Sequence, residues 1–151
     1  MMPKFILKRF NELSVQELYQ LLQLRSEVFV VEQNCVYQDL DGKDENALHL
    51  LGVYNNKIVA YSRLFAPGYY FDSASIGRVV VNEQYRNNKW GHLLIEKSIK
   101  AIKSAFETDA ITISAQLYLK NFYESHGFVQ EGEEYPEDGI PHIRMNRVKL
   151  L

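Results

Sequence analysis

Ser75-Ile76-Gly77-Arg78-Val79-Val80-Val81, followed by Asn82-Glu83-Gln84-Tyr85 and Arg86-Asn87-Asn88-Lys89-Trp90-Gly91-His92, reads as an apolar strand that runs through a polar loop into a helix. The helix continues to Phe106. Ile95, Ile99, Ile102 and Phe106 form one row, Leu94, Ala101 and Ala105 flank it, and Glu96, Lys97, Lys100 and Lys103 face outward. The first turn of a helix presents backbone N–H groups without partners inside the helix, and the aligned peptide dipoles add partial positive charge there. Anions suit such a place, phosphates above all. Arg86 adds a guanidinium able to fork onto two phosphate oxygens, and Gly91 has no side chain to keep a ligand off the backbone. Strand, loop and helix with one Arg and one Gly also occur in many other α/β domains, so this stretch alone leaves both readings open.

Downstream, Ala110-Ile111-Thr112-Ile113-Ser114-Ala115 is a short strand of small and β-branched residues. A helix joining it to the strand at 75–81 makes a β-α-β unit, so these two strands are expected to be parallel. Leu117–His126 reads as a helix closed by Gly127, a residue suited to the left-handed position after a helix. Phe128-Val129-Gln130 and Ile140–Val148 are expected strands on either side of an acidic connection, Glu131–Asp138.

Upstream, Lys4–Phe10 is a strand with charged flanks, and Ser14 with Glu17 forms a capping box that opens a helix. Val15, Leu18, Leu22 and Phe29 mark one apolar row of that helix, and Leu21, Leu24, Val28 and Val31 mark its neighbour. Glu32–Asn46 has no period and carries five carboxylates against one lysine. It is either a solvated acidic connection or, because long loops in small domains usually do something, a site for an ammonium group. Tyr37 would supply a ring face for the same cation. His49–Tyr54 and Lys57–Phe65 are two strands joined by Asn55-Asn56, a tight-hairpin signal.

The 151 residues, 46% hydrophobic, are enough for one domain with a sizeable core. The expected fold is α/β (α+β): one mixed, mostly antiparallel twisted sheet of about six or seven strands with helices on both faces. Seventeen basic against 19 acidic residues leave a formal net charge of −2, which gives no drive toward nucleic acid or an anionic membrane surface. No apolar run reaches the roughly 18 residues of a membrane span, and Lys4, Lys8 and Arg9 interrupt any leader, so a cytoplasmic protein is expected. Cys35 is the only cysteine and the four histidines are scattered, which favours neither a disulfide nor a metal site. Ten Tyr and eight Phe permit an interface, so a homodimer is one partner state to consider.

The ordered set of Val79-Val80-Val81, Tyr85-Arg86 with Gly91, then a strand, then Asn121-Phe122-Tyr123 with Gly127-Phe128, resembles the GNAT superfamily of acyl-CoA-dependent N-acetyltransferases. Arg25 with Val28-Phe29-Val30-Val31-Glu32-Gln33, Tyr37 with Asp39 and Asp41, Ile76–Val79, and Glu137-Asp138-Gly139-Ile140-Pro141-His142 resemble its ElaA-like branch. The resemblance implies an acetyl-CoA donor, and a small-molecule or peptide amine as acceptor. The superfamily's acyl-CoA loop falls on Arg86, Asn87, Asn88, Lys89, Trp90 and Gly91, with the backbone from Asn88 to His92 around the pyrophosphate. Lys89 stands where the first glycine of that pattern would be. Val79, Val80 and Val81 would pair with the pantetheine arm in a slot opened where the strands at 75–81 and 110–115 splay apart. Gln116 would meet the same arm, and Asn121 belongs to the same cofactor motif.

Tyr123 falls on the superfamily's general-acid tyrosine; read without the motif it is a core aromatic beside Phe122. A phenol near pKa ~10 can protonate a leaving thiolate whose acid lies near ~8.5, more readily if its environment lowers the phenol. The attacking ammonium must also lose a proton. Glu32 is the first candidate base, with His142 and His49 as alternatives, each histidine also readable as structural. Glu32, Tyr37, Asp39, Asp41 and Arg78 are the expected acceptor contacts, although Arg78 would as readily pair with the acidic loop. A non-catalytic acyl-CoA sensor, or a nucleotide-binding protein of another kind, remains the alternative on the sequence alone.

Overall fold

The computed structural model describes residues 2–148. Seven strands form one sheet in the order β1-β2-β3-β4-β5-β7-β6. They are β1 (Lys4–Arg9), β2 (Leu48–Tyr54), β3 (Lys57–Phe65), β4 (Ala74–Val81), β5 (Ile111–Gln116), β6 (Val129–Glu137) and β7 (Ile140–Arg147). All neighbours are antiparallel except β4 and β5. On one face lies α1 (Val15–Arg25), opened by Ser14 and Glu17 in the reciprocal cap that the sequence predicts. It continues as a π-helical segment, Ser26–Glu32. On the other face lie α2 (Trp90–Phe106) and the short α3 (Lys120–Glu124). Among the described residues no helix is long and apolar enough to cross a membrane.

The core follows this layering. Leu21, Leu24, Val28 and Phe29 pack on Leu51, Tyr61 and Val80, whereas Leu94, Ile95 and Ile102 pack on the opposite face with Ala60, Ile76, Ile113 and Met145. The helical period puts Val15 and Val31 in the apolar rows of the first helix, but they are 81% and 72% exposed. Val15 sits in the first turn, and the wider π geometry after Arg25 turns Val31 out of the 3.6-residue period.

Asn55 and Asn56 both take positive φ, 50° and 61°, as a two-residue turn of this hand requires. The same device recurs at Asp138-Gly139, φ 51° and 76°, which joins β6 to β7. Glu131–Asp138 is therefore not a connection, as its composition suggests. It is most of a strand, broken by a register shift between Glu131 and Tyr135 where Gly132 takes φ 80°. Leu117–His126 likewise divides into a 3-10 turn, Leu117–Leu119, and α3, with Gly127 at φ 89° closing it.

The feature that positions the site is the β4–β5 junction. These parallel strands pair only at Ala74↔Ile111 and Ser75↔Thr112, after which they diverge. Two causes are visible. Arg78 takes φ 49° inside β4, and two of that strand's residues, Arg78 and Val79, stand opposite the single residue Ser62 of β3, a bulge that bends β4. Meanwhile β5 stays paired with β7 along its whole length, from Ile111↔Arg147 to Gln116↔His142.

Candidate active site

The divergence opens a cleft of about 430 Å³. Its walls are β4 from Ile76 to Val81 and β5 from Ile113 to Gln116; Phe29, Glu32 and Gln33 lie on the α1 side, and Phe122 and Tyr123 on the α3 side. Beyond Ser75 the β4 edge that faces β5 has no strand partner, so its amides can take an extended ligand as an added strand. At one end stand Arg86 and Gly91, where a 3-10 turn (Glu83–Asn88) enters α2. Lys89 makes the corner with φ 60°, ψ 26°, the left-handed conformation for which glycine is the easy residue. The first-turn N–H groups of α2 have no intrahelical acceptor and are available to an anion. A Cβ built on Gly91 would reach the Phe122 ring at 3.7 Å, so any side chain there would project into the space between helix and cleft.

The expected cofactor residues divide by position. Val79, Val80, Val81, Arg86, Gly91 and Gln116 line the cleft. Asn87, Asn88, Lys89 and His92 are exposed at the α2 corner. The Trp90 side chain is buried, stacked on Tyr85 at 5.0 Å, and anchors the corner from within the core. Asn121 is exposed on α3 and is not among the cleft-lining residues. Open β4 amides, an unpartnered helix end and a cleft between them fit a phosphate joined to an extended amide-bearing arm, the shape of coenzyme A.

Arg86 departs from the expected free phosphate fork. Its Nη1 and Nη2 donate to Glu32 Oε2 at 2.5 Å and Oε1 at 2.9 Å, and its Nε donates to the Val81 carbonyl at 3.1 Å. The carboxylate in turn raises the Arg86 pKa. Both Glu32 oxygens are thus engaged, so the expected base and the expected anchor occupy one another.

The acidic loop is also spent internally. Asp39, Asp41 and Asp44 fold down onto Arg25, Arg63 and Arg78. Arg25 donates to Asp39 Oδ2 at 2.9 Å and Asp44 Oδ1 at 2.8 Å. Arg63 holds both Asp41 oxygens at 2.8 Å. Arg78 donates to the Asp39 carbonyl at 2.9 Å, and its Nε lies 2.7 Å from Asp39 Oδ1 at an angle too bent for a hydrogen bond. Against the effect of burial, hydrogen bonds from Arg63 and from the Lys43 backbone N–H, then the Arg63 charge, hold Asp41 far below the usual carboxylate range, and Arg25 and Arg63 lower Asp44 likewise. Asp39, Asp41 and Arg78, expected to hold an acceptor, instead neutralise one another, and Arg78 takes the alternative fate of pairing with the loop. Tyr37 remains in the cleft wall with the Arg78 guanidinium 5.8 Å from its ring, and burial pushes its phenol up to about 12.

His49 is fully buried between the Tyr61 hydroxyl at 2.6 Å and the Asp44 carbonyl at 2.9 Å, so it serves the loop rather than the cleft. His142 does line the cleft. Its Nδ1 donates to the Ile140 carbonyl at 2.7 Å, which leaves the lone pair of the neutral ring on Nε2, 3.3 Å from Glu137 Oε2. Ser114 donates to Glu137 Oε1 at 3.1 Å and accepts from the Tyr135 hydroxyl. Glu137, Ser114 and Tyr135 carry no role on the sequence alone. The Asp-Gly turn at 138–139, which brings β6 back along β7, is the signal that places them here.

The Tyr123 side chain is buried and lines the cleft, and among the described residues its hydroxyl has no hydrogen-bond partner. Its surroundings do not lower the phenol. Burial, followed by the nearby Tyr118 hydroxyl, raises it well above its ordinary value.

Residues 10–149 match the family model described as an acetyltransferase (GNAT) domain. The chain belongs to the GNAT acetyltransferase family. It is 46% identical over 139 residues to Protein ElaA of Escherichia coli, covering 91% of each chain. The crystal structure of that ElaA superposes with a TM-score of 0.89 at 43% identity over 97% of this chain and 99% of the other. An acyl-CoA N-acyltransferase from Pseudomonas aeruginosa superposes at 0.90 with 40% identity, over 96% and 99%. An aminoglycoside 6′-N-acetyltransferase complexed with coenzyme A shares the fold, with a TM-score of 0.68 at 18% identity over 94% and 96% of the two chains. Membership assigns acyl transfer as the chemistry of the family.

Proposed function

We propose that the chain transfers an acetyl group from acetyl-CoA to a primary amine, both bound together, in the cleft between β4 and β5. The observation that carries the reading is the early end of β4–β5 pairing, with a bare helix N-terminus at one end of the opening and an unpartnered tyrosine hydroxyl inside it. When bound, acetyl-CoA supplies the thioester to be attacked. Val79–Val81 offer backbone amides to the pantetheine arm. The amides at the start of α2 hold the pyrophosphate, and Arg86, braced by Glu32 and Val81, holds the loop that presents them.

His142 takes the proton that the ammonium must lose. Glu32 suits that task less well, because both its oxygens are engaged by Arg86. As the new C–N bond forms and the C–S bond breaks, Tyr123 donates its O–H to the departing sulfur, and the phenolate left behind takes up the second proton that the nitrogen releases as it becomes an amide. Burial raises the phenol, so Tyr123 stands protonated at neutral pH, the form in which it can act as a donor. A screen of amine acceptors, read by thiol release under saturating acetyl-CoA, tests the reading. Tyr123→Phe is expected to keep donor binding and lose turnover.

A further inference from the structure

We infer that Glu137, together with His142 Nε2, forms the seat of the acceptor ammonium, which makes Glu137 a specificity-determining residue of the site; the inference rests on the acetyl-transfer reading above. The seat is built rather than incidental. Glu137 stands on β6 just before the turn into β7; its Oε1 is located by the Ser114 hydroxyl, itself fixed by Tyr135, and its Oε2 lies 3.3 Å from His142 Nε2, two acceptors side by side that call for a shared donor. His142 is only 7% exposed, and its Nδ1 is committed to the Ile140 carbonyl. Its reactive nitrogen and the carboxylate therefore face the same small volume of the cleft, on its β5–β7 side.

The other carboxylates of the neighbourhood are already used. Asp39, Asp41 and Asp44 are bound to arginines, and Glu32 to Arg86. Asp138 lines the cleft as well, but from the exposed turn. The Glu137 side chain is 41% exposed and has no arginine or lysine partner among the described residues, so its charge is available to a ligand. Arg144, whose guanidinium lies 5.0 Å over the Phe71 ring, is on the same strand as His142 without lining the cleft.

An alkylammonium placed between Glu137 Oε2 and His142 Nε2 donates one N–H to each. The proton passes to Nε2 and leaves a neutral amine with its lone pair free to attack. The new Nε2–H then finds Glu137 Oε2 as its acceptor, so the protonated ring has an acceptor on both nitrogens. The seat selects for amines that arrive as ammonium ions.

The test compares wild type with Glu137→Gln, which keeps the shape and the Ser114 contact. Two acceptors are used: an alkylamine charged at assay pH, and a fluorinated ethylamine of low basicity that is mostly neutral there. For the alkylamine, kcat/KM is expected to fall about tenfold to a hundredfold, the worth of a charge-assisted hydrogen bond. For the neutral amine the two proteins should be nearly equal, a pattern that a purely structural role would not give. Equal losses for both amines, or no loss for either, overturn the inference and leave the acetyl-transfer reading standing. A second readout needs no turnover: the alkylammonium should raise the melting temperature of the coenzyme A-loaded wild type and not of Glu137→Gln. Absence of that protection in the wild type overturns the seat, whereas absence of any shift on adding acetyl-CoA itself overturns the reading beneath it.

Discussion

Replacing Glu32 with Ala separates two accounts of how the donor's phosphates are held. If Arg86 were itself the phosphate ligand, its carboxylate partner would be a competitor, and Glu32→Ala would tighten acetyl-CoA binding. The geometry favours the other account, in which the arginine is a clamp. Its Nε is on the Val81 carbonyl, both Nη groups are on Glu32, and the loop it belongs to leads directly to the left-handed corner at Lys89. The pair is about one-third exposed on each side, 38% and 33%, so solvent screening limits it to roughly 1 kcal/mol despite its forked geometry. The Nε bond adds about 1 kcal/mol. If ordering of the loop is drawn from these terms, Glu32→Ala weakens acetyl-CoA binding about fivefold and Arg86→Ala about tenfold or more. The double variant should resemble Arg86→Ala alone, because the pair is a shared contact. Isothermal titration of acetyl-CoA into the four proteins at one ionic strength measures this. Tighter binding by Glu32→Ala, or fully additive losses, would refute the clamp.

Two further outcomes follow from the same structure. Lys89→Gly should retain acetyl-CoA affinity and raise stability by up to about 1 kcal/mol, since φ 60° strains any residue with a Cβ; thermal unfolding with and without acetyl-CoA reads both. Stability should also fall as the medium is acidified, in two stages. Burial holds the His49 pKa down, so below about pH 6.5 the unfolded chain takes up a proton that the folded one resists. Asp41 and Asp44 have lowered folded pKa values, so their contribution is fully present above about pH 4 and is lost as pH drops further toward those values. Denaturant unfolding at a series of pH values reads both stages; a curve that is flat down to pH 3 would contradict the arginine–aspartate assignment.

The strand, loop and helix at 75–106 were readable in the sequence because apolar periods and a β-α-β order leave little choice of topology. Asn55-Asn56 announced its turn for a similar reason. The Asp138-Gly139 turn carried an equally good signal, but β6 is an edge strand with a mostly exposed Glu-rich sequence and no buried alternation, so composition pointed to a loop. The acidic segment failed differently. Nothing local says that Asp39 meets Arg25 fourteen residues away, or that Asp41 meets Arg63 twenty-two away, and unpaired carboxylates in a sequence look like an open cation site. The arginine–aspartate cluster removed that site, and Glu137 and His142 meet instead across the Asp138-Gly139 hairpin, whose β6 arm was read as a loop.

The central claim is amine acetylation dependent on Tyr123, and the most direct measurement is free thiol released from acetyl-CoA with a panel of primary amines, wild type beside Tyr123→Phe. The account predicts amine-dependent release by the wild type, and a loss of roughly 10²-fold or more in kcat for the variant with acetyl-CoA affinity retained. Tight acetyl-CoA binding with no release for any amine, or equal turnover by the variant, would contradict it.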